Sequence, residues 1–246
     1  MSNASNTIKI DGVVIPFKEG QTIMDAALAA DIYIPHLCHK PGLSPHGSCK
    51  LCTVDVNGRC VSSCTMPATE GQEIDNNTPA LNEVRKTITQ MLFIEGNHLC
   101  PSCEKTGDCT LQAIAYHLGM LDGHFSQFYP RREIDASHTS LVLDRDRCIM
   151  CELCVRASRE VDGKDVFATS GRGINRHLIV HSPSGKLGDS NIERDDLAAH
   201  ICPVGAILIK GDAYKVPIGQ RTFDLHSVAE TNLDKIILTK VRHHDA

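Results

Sequence analysis

The arrangement of the cysteines is the feature that most restricts what this chain can become. The 246 residues include 12 cysteines, and these fall into three groups: Cys38 to Cys64, Cys100 to Cys109, and Cys148 to Cys154 with a distant Cys202. The first residues, MSNASNTIKI, lack the charged-then-apolar pattern of a secretory signal. Grouped cysteines in a chain without such a signal indicate metal binding rather than disulfides.

Composition excludes several classes of function. The net charge is −5 and no long basic run is present, so we do not expect nucleic acid as a partner. No apolar stretch approaches the length of a membrane span, so we expect a cytoplasmic chain without a transmembrane segment. Aromatic residues make up only 4%, so the cores must consist of aliphatic side chains. Bound metal could supply the stability that small cores of this kind lack.

The first 77 residues predict a small α+β domain. Two pairs of β-rich runs are each joined by a two-residue hairpin signal. Between the pairs, Thr22 and Asp25 have the spacing of a capping box at the start of a helix. The paired runs are Thr7–Ile10 with Val13–Phe17, around Asp11-Gly12, and Thr53–Val56 with Arg59–Ser62, around Asn57-Gly58.

The remaining residues predict a helical segment, a linker, a third domain and a tail. Thr78-Pro79 is a helix-start signal, and a second helix is expected from about Thr110 to Leu118, stopping at Gly119. Residues 123–140 are expected as a linker, a third domain as residues 139–215, and a tail, residues 216–246, without recognisable chemistry.

The first cysteine group has a spacing suited to a two-iron cluster. Cys38, Cys49, Cys52 and Cys64 follow C-x10-C-x2-C-x11-C, and a 2Fe–2S cluster needs four thiolates, two on each iron. Cys60 competes as the fourth ligand, but it lies within a predicted strand. We therefore favour Cys64 and expect Cys60 to be a small buried residue. A structural four-thiolate zinc site is the alternative.

The loop of this first group also contains histidines and glycines. His36, His39 and His46 could resemble ligands, but we expect them to be solvated loop residues. Gly42 and Gly47 have no Cβ atom, so they would let backbone N–H groups approach the cluster sulfurs and tune its potential.

The second group predicts a four-iron cluster with a mixed ligand set. NHLCPSCEKTGDC supplies Cys100, Cys103 and Cys109, which leaves one iron of a 4Fe–4S cube without a thiolate. His98 is the nearest candidate, and by analogy with the Rieske centres an imidazole ligand should raise the potential. The alternatives are a free histidine at a helix end and a zinc site, since zinc sites also use CxxC.

The third group is the most specific signal in the chain. Cys148, Cys151 and Cys154 form the bacterial C-x2-C-x2-C run of a 4Fe–4S cluster. Two-cluster ferredoxins place a further cysteine three residues later for the other cluster. Here that position is Ser158, so the doubled arrangement is absent and Cys202, in ICPVGAI, is the simplest fourth ligand.

The three motifs, in this order, resemble one family arrangement. It occurs in the N-terminal part of the large iron–sulfur subunit of respiratory complex I, in the N-terminal extension of iron-only hydrogenases, and in the small diaphorase (gamma) subunit of NAD-reducing nickel–iron hydrogenases. The resemblance runs from about Thr7 to Lys215, and EGNHLCPSCEKTGDCTLQA is similar to the diaphorase form. One departure is that only Leu99 separates His98 from Cys100, where the complex I and iron-only hydrogenase motif has three residues.

The resemblance implies a set of folds and partners. The folds are a β-grasp 2Fe–2S ferredoxin domain (1–77), a helical His–Cys 4Fe–4S domain (78–122) and a ferredoxin-like 4Fe–4S domain (139–215). The partners are a flavin subunit that binds NAD(H) and the small and large subunits of a nickel–iron hydrogenase. Since 44 residues follow Cys202, we expect neither the large C-terminal domain of the complex I subunit nor the catalytic domain of iron-only hydrogenases.

The sequence contains no dinucleotide fingerprint, P-loop or nucleophile–base motif. We therefore expect no complete active site, and an electron relay within a hydrogen:NAD+ oxidoreductase is the favoured function. A relay in another flavin-linked complex, such as complex I or a formate dehydrogenase, is one alternative. A zinc-stapled structural module is the other.

Overall fold

The computed structural model describes residues 6–230, and the chain divides into two compact units, residues 1–89 and 90–246. The strands between residues 6 and 230 are β1 (Thr7–Ile10), β2 (Val13–Pro16), β3 (Thr53–Val56), β4 (Arg59–Ser62), β5 (Glu73–Asp75), β6 (Ile134–Asp135), β7 (Leu141–Asp144), β8 (Phe167–Ser170), β9 (His177–Val180) and β10 (Ile207–Ile209). The helices over the same residues are α1 (Ile23–Ala29), α2 (Pro79–Ile94), α3 (Thr110–His117), α4 (Leu153–Glu160), α5 (Leu197–His200) and α6 (Thr222–Leu225).

The first unit contains a mixed five-stranded sheet with the order β2-β1-β5-β3-β4. Both predicted hairpins are present, β1 with β2 and β3 with β4. Asp11 and Gly12 have φ values of 47° and 85°, as a two-residue turn of the primed type requires. The sequence did not indicate β5, which lies at the centre of the sheet, parallel to β1 and antiparallel to β3.

Helix α1 packs on this sheet and starts at the predicted cap. The Asp25 backbone N–H donates to Thr22 Oγ1 at 3.1 Å, and the Thr22 N–H donates to the Asp25 carboxylate at 3.0 Å. The reciprocal pair confirms the capping box. The core beneath α1 contains aliphatic residues of the sheet together with the buried side chains of Cys52 and Cys64, so part of the first cysteine group belongs to the core itself.

Helix α2 begins as predicted, because the Leu81 N–H donates to Thr78 Oγ1 at 3.2 Å. The helix continues to Ile94, past Thr89, the last residue of the first unit. The expected division between residues 77 and 78 stays a prediction.

The second unit contains two small sheets and short helices. One sheet has three antiparallel strands in the order β10-β7-β6, and the other pairs β8 with β9. Helix α3 follows the second cysteine group and confirms the helix predicted from Thr110. Helix α4 contains Cys154 and packs against α5 and β8.

Residues 123–140, expected as a linker, include strand β6, which pairs with β7. Asp135 in β6 is buried, and its carboxylate accepts the N–H groups of Leu187 at 2.7 Å and Ser137 at 3.0 Å. A two-residue strand is too short to show an alternating pattern, so the sequence could not reveal it.

The tail expected at residues 216–246 is structured over its described part, which ends at residue 230. Helix α6 lies in this part, and residues 231–246 lie outside the described residues. None of the helices between residues 6 and 230 has the length and apolarity needed to cross a membrane.

Candidate metal centres

The first cysteine group converges within the first unit. The Sγ atoms of Cys52 and Cys64 are 3.3 Å apart, and Cys38 exchanges hydrogen bonds with Cys49 and Cys64. Cys38, Cys52 and Cys64 are buried, and Cys49 is partly buried. The four residues favoured from the sequence are therefore brought together.

Hydrogen bonds between the sulfurs of this group shift their pKa values in opposite directions. The hydrogen bond from Cys49 lowers the pKa of the Cys38 thiol, and the bond from Cys64 lowers the pKa of Cys52 to about 6. The same hydrogen bonds raise the pKa of Cys49 and of Cys64. Each close pair of sulfurs therefore favours one thiolate and one thiol, and binding of iron to all four sulfurs as thiolates would release the remaining protons.

Cys60 is exposed, so its expected burial is wrong. It pairs with Asp55 across β3 and β4, and residues directly opposite one another point to the same face of a sheet. Val54 and Val56 face the core, so Asp55 and Cys60 face away from it. The two-residue turn and the alternation of buried and less buried residues in β3 would have predicted the exposure of Cys60.

The expectation of solvated histidines is wrong for His36 and His39, which are 7% and 6% exposed. His36 Nδ1 lies 2.7 Å from the carbonyl oxygen of Ile34, and His39 Nε2 lies 3.4 Å from the Asp25 carboxylate. The contact of His39 with Asp25 brings this loop against α1, and His46 is partly buried.

Two features outside the cysteines shape this loop. Gly47 has φ 69°, and a Cβ atom there would lie 3.0 Å from Thr65 Cγ2. Glycine at position 47 therefore lets the loop approach Thr65, the residue after Cys64, closely. Arg85 of α2, which is 1% exposed, donates to the carbonyl oxygens of Leu51 and Thr53 at 3.0 and 2.8 Å. It therefore fixes both backbone neighbours of Cys52.

The second cysteine group lies in the second unit, around a short 3₁₀ turn, Cys100–Ser102. The thiols of Cys100 and Cys103 act electrostatically on Cys109. Cys109 is buried at the start of α3, and burial raises the pKa of its thiol to about 12. The three cysteines are therefore neighbours, as the spacing predicts.

His98, two residues before Cys100, has a neutral imidazole. Burial and the charge of Arg147 lower its pKa to about 4. Its ring packs edge-on against Phe93, with the ring centroids 5.4 Å apart. Its Nε2 is buried and has no hydrogen-bond partner among residues 6–230. A buried, neutral, unpartnered ring nitrogen fits a metal ligand.

The tail covers the loop between Cys103 and Cys109, a role that the sequence did not reveal. Arg221 is 4% exposed, and its Nη1 donates to the carbonyl oxygens of Glu104 and Thr106 at 2.9 and 2.5 Å. Its Nε donates to the carbonyl oxygen of Val216 at 2.9 Å, and its guanidinium lies 5.3 Å from the ring centroid of Tyr214.

Helix α6 adds backbone contacts to the same loop. The Phe223 N–H donates to the carbonyl oxygen of Gly107 at 2.8 Å, and a Cβ at position 107 would lie 2.6 Å from Asp224 Oδ2. Glycine at this position therefore permits the close approach of α6. No sequence pattern in residues 216–230 indicated this contact.

The third cysteine group surrounds a cavity. Cys148, Cys151, Cys154 and Cys202 all line it. Burial raises the pKa of Cys148 to about 11 and the pKa of Cys154 well above its ordinary value. The rest of the lining is mostly apolar: Ile149, Met150, Leu178, Val204, Ala206 and Ile207.

The C-x2-C-x2-C loop has a specific backbone shape. Met150 and Glu152, each one residue away from Cys151, have φ values of 55° and 56°, which is uncommon for residues with a side chain. The Glu152 carboxylate forms an ion pair with Arg176 and accepts a hydrogen bond from Thr169 at 3.1 Å. These contacts hold the strained loop in the form that directs its cysteines to the cavity.

The described side chains form no site for a single metal ion. Among residues 6–230, no three His, Cys, Asp or Glu side chains converge as the ligands of a single metal ion. The ligands of a cluster need not converge in this way. Each iron of a 2Fe–2S cluster takes two protein ligands, and each iron of a 4Fe–4S cluster takes one.

Family models match all three regions. A 2Fe-2S iron-sulfur cluster binding domain matches residues 4–79, an NADH-ubiquinone oxidoreductase-G iron-sulfur binding region matches residues 85–124, and a 4Fe-4S single cluster domain matches residues 141–209. These matches establish one 2Fe–2S and two 4Fe–4S binding domains.

The subunit gamma of the NAD-reducing hydrogenase HoxS from Cupriavidus necator is 37% identical over 228 residues, which are 92% of this chain and 97% of the relative. This chain belongs to that gamma-subunit family. A chain in a crystal structure of an NAD+-reducing [NiFe]-hydrogenase in the H2-reduced state is 50% identical, with a TM-score of 0.91 over 94% of this chain and 99% of that one. Family membership confirms the expected α+β fold class, with its β-grasp, helical His–Cys and ferredoxin-like parts.

The complex I relatives of the family are longer. The 75 kDa subunit of NADH-ubiquinone oxidoreductase from Reclinomonas americana is 30% identical over 95% of this chain, but this chain spans only 33% of that subunit. The resemblance to the N-terminal part of the complex I subunit is thereby confirmed.

Proposed function

We propose that this chain relays single electrons through three iron–sulfur clusters held by eleven cysteines and one histidine. The 2Fe–2S ligands are Cys38, Cys49, Cys52 and Cys64; the ligands of the second cluster are His98, Cys100, Cys103 and Cys109; the ligands of the third cluster are Cys148, Cys151, Cys154 and Cys202. The observation that carries this proposal is the cavity surrounded by the four cysteines of the third group. When bound, such clusters accept and pass on one electron at a time.

The protein's own part is to hold and tune these ligands. Arg85 fixes the backbone on both sides of Cys52, and Arg221 fixes the loop between Cys103 and Cys109. The lining around the third group is mostly apolar, and a low local dielectric makes nearby charges more effective in setting the potential.

We further propose the domains as residues 1–77, 78–122 and 139–215, followed by a tail of residues 216–246. The similarity to HoxS gamma supports three partners: a flavin subunit that binds NAD(H), and the small and large subunits of a nickel–iron hydrogenase. The overall reaction would then be hydrogen:NAD+ oxidoreduction in the cytoplasm, with substrate chemistry in the other subunits.

Metal and sulfide analysis of the full chain tests the cofactors. Two irons in the first site and four in each of the others predict ten irons per chain and an equal amount of acid-labile sulfide. A colourless protein that contains zinc and no sulfide would end the proposal.

Co-purification tests the partners. Recovery of the chain with a flavin protein and a nickel protein is the expected result. The similarity to the complex I subunits favours a second candidate, a relay in another flavin-linked complex. Recovery with a molybdenum protein, or with membrane-bound quinone reductase subunits, would replace the hydrogenase assignment.

A further inference from the structure

The short turn Arg145–Arg147, between β7 and Cys148, supplies arginines to two different cysteine groups. Arg145 acts electrostatically on Cys148 of the third group, and its Nε donates to the carbonyl oxygen of Leu178, a residue lining that cavity, at 3.1 Å. Arg147 turns the other way, and its Nη1 lies 3.8 Å from Cys103 Sγ of the second group.

The Arg147 guanidinium is held in this place by two carboxylates. Its Nε lies 2.8 Å from Asp144 Oδ2, and its Nη1 pairs with Glu104. The side chain is only 21% exposed, and that of Asp144 only 10%. A partly buried charge with two fixed partners is screened less by solvent than a surface charge.

The surroundings of Cys103 are arranged to admit this contact. A Cβ atom at Gly205 would lie 3.1 Å from Cys103 Sγ and 3.3 Å from Arg147 Nη1, so glycine leaves the path between them open. The backbone N–H of Lys105 also points at the sulfur, with its nitrogen 3.4 Å away. The sulfur of Cys103 therefore has both a backbone donor and a cationic donor.

We propose that Arg147 is a positioning residue that raises the reduction potential of the second cluster, and that Glu104 opposes it. The inference rests on the proposed assignment of Cys103 as a ligand. Each electron added to a cluster increases its negative charge, so a cation at a ligand sulfur stabilises the reduced form more than the oxidised form. A carboxylate at the same sulfur has the opposite effect.

The test is an EPR-monitored redox titration of the full chain and four variants, one of which is a control. In Arg147→Gln, two carboxylates remain near Cys103 without their cation. The ratio of reduced to oxidised second cluster at the wild-type midpoint should fall about tenfold, which for one electron is about 59 mV. Glu104→Gln should shift the same midpoint upward, and His98→Cys identifies which signal belongs to the second cluster.

Arg145→Gln is the matched control, because it removes an arginine from the same turn. It should move the third midpoint and leave the second in place. If the midpoint of the second cluster does not move in Arg147→Gln, the inference is wrong. It is also wrong if the midpoint moves in the same direction in Arg147→Gln and Glu104→Gln. A shift caused only by loosened packing around the cluster would not change sign with the charge of the side chain removed.

Two further outcomes keep the test decisive. If Arg147→Gln does not bind the second cluster, the Glu104→Gln variant tests the inference by itself. An upward shift of the second midpoint supports the inference, and the absence of that shift refutes it. If the wild-type chain itself shows no second four-iron signal, the proposed function fails, and this result is separate from any comparison of variants.

Discussion

The substitution Arg85→Met should destabilise the first unit strongly. Arg85 is 1% exposed, and its guanidinium makes five hydrogen bonds. The acceptors are the carbonyl oxygens of Leu51 (3.0 Å), Thr53 (2.8 Å) and Asn76 (2.8 Å), Asn76 Oδ1 (2.8 Å) and Asn82 Oδ1 (3.1 Å). Methionine matches the length of the side chain but donates to none of these acceptors.

The expected loss is about 4 kcal/mol of the free energy of unfolding. Each intramolecular hydrogen bond contributes about 1 kcal/mol net, and somewhat more when one partner is charged. Five bonds at the lower of these values give about 5 kcal/mol. The apolar surface that methionine buries, and the removal of a charge from the interior, offset part of the loss. Breaking a buried charged network commonly costs about 3 to 5 kcal/mol.

Urea denaturation of the full chain, followed by the visible circular dichroism of the 2Fe–2S cluster, measures this loss. With a slope of about 2 kcal/mol per molar urea, the midpoint should fall by about 2 M. Arg85→Lys keeps the charge but not the planar fork of donors, so we expect about half the shift. Arg59→Met makes the same change at an exposed position of β4, and it should stay within about 0.5 kcal/mol of the wild type.

A midpoint for Arg85→Met equal to that of Arg59→Met would refute the reasoning. It would mean that the three backbone carbonyl oxygens find other donors and that Arg85 is not what fixes the neighbours of Cys52.

Three other predictions test the sites. His98→Cys should retain the second cluster but lower its potential, because a thiolate adds one negative charge; an unchanged EPR spectrum and midpoint would exclude His98 as a ligand. Cys60→Ser should leave iron content unchanged and remove the thiol that alkylates fastest in the wild type, whereas Cys64→Ser should fail to hold the 2Fe–2S cluster; equal iron loss in both would reverse the assignment. Arg221→Ala should speed the chelator-driven loss of the second cluster severalfold relative to the third, because two loop carbonyl oxygens lose their donor; the exposed Arg172→Ala is its control, and equal rates in both variants would contradict the role of the tail.

The parts of the fold that the sequence predicted are local. The turns Asp11-Gly12 and Asn57-Gly58, the Thr22 cap and the start of α2 each depend on residues a few positions apart. Their patterns are therefore complete in a short window of sequence. The cysteine spacings belong to the same category, because each loop must wrap one compact cluster.

The parts that escaped prediction depend on distant residues. Strand β5 has three residues, two of them charged, and is a strand only because β1 and β3 flank it. His36 and His39 are buried, and the contact of His39 with Asp25 joins residues 14 positions apart, which no local pattern reveals. Arg221 acts on a carbonyl oxygen 117 positions earlier in the chain. Cys60 differs, since the alternation of β3 and the two-residue turn would have predicted its exposure.

The cover that the tail places over residues 104–108 has a consequence for synthesis. The cysteines of the first group and Arg85 all lie within the first 89 residues, so that site can close as soon as its own unit emerges. The loop of the second group waits for an arginine 117 residues later, which at ribosomal speeds of 5 to 20 residues per second takes roughly 6 to 23 s. During that interval the loop of the second group lacks the contacts of the tail, so its cysteines are open to the delivery of iron and sulfide. The synthesis of Arg221 then allows the tail to cover the loop.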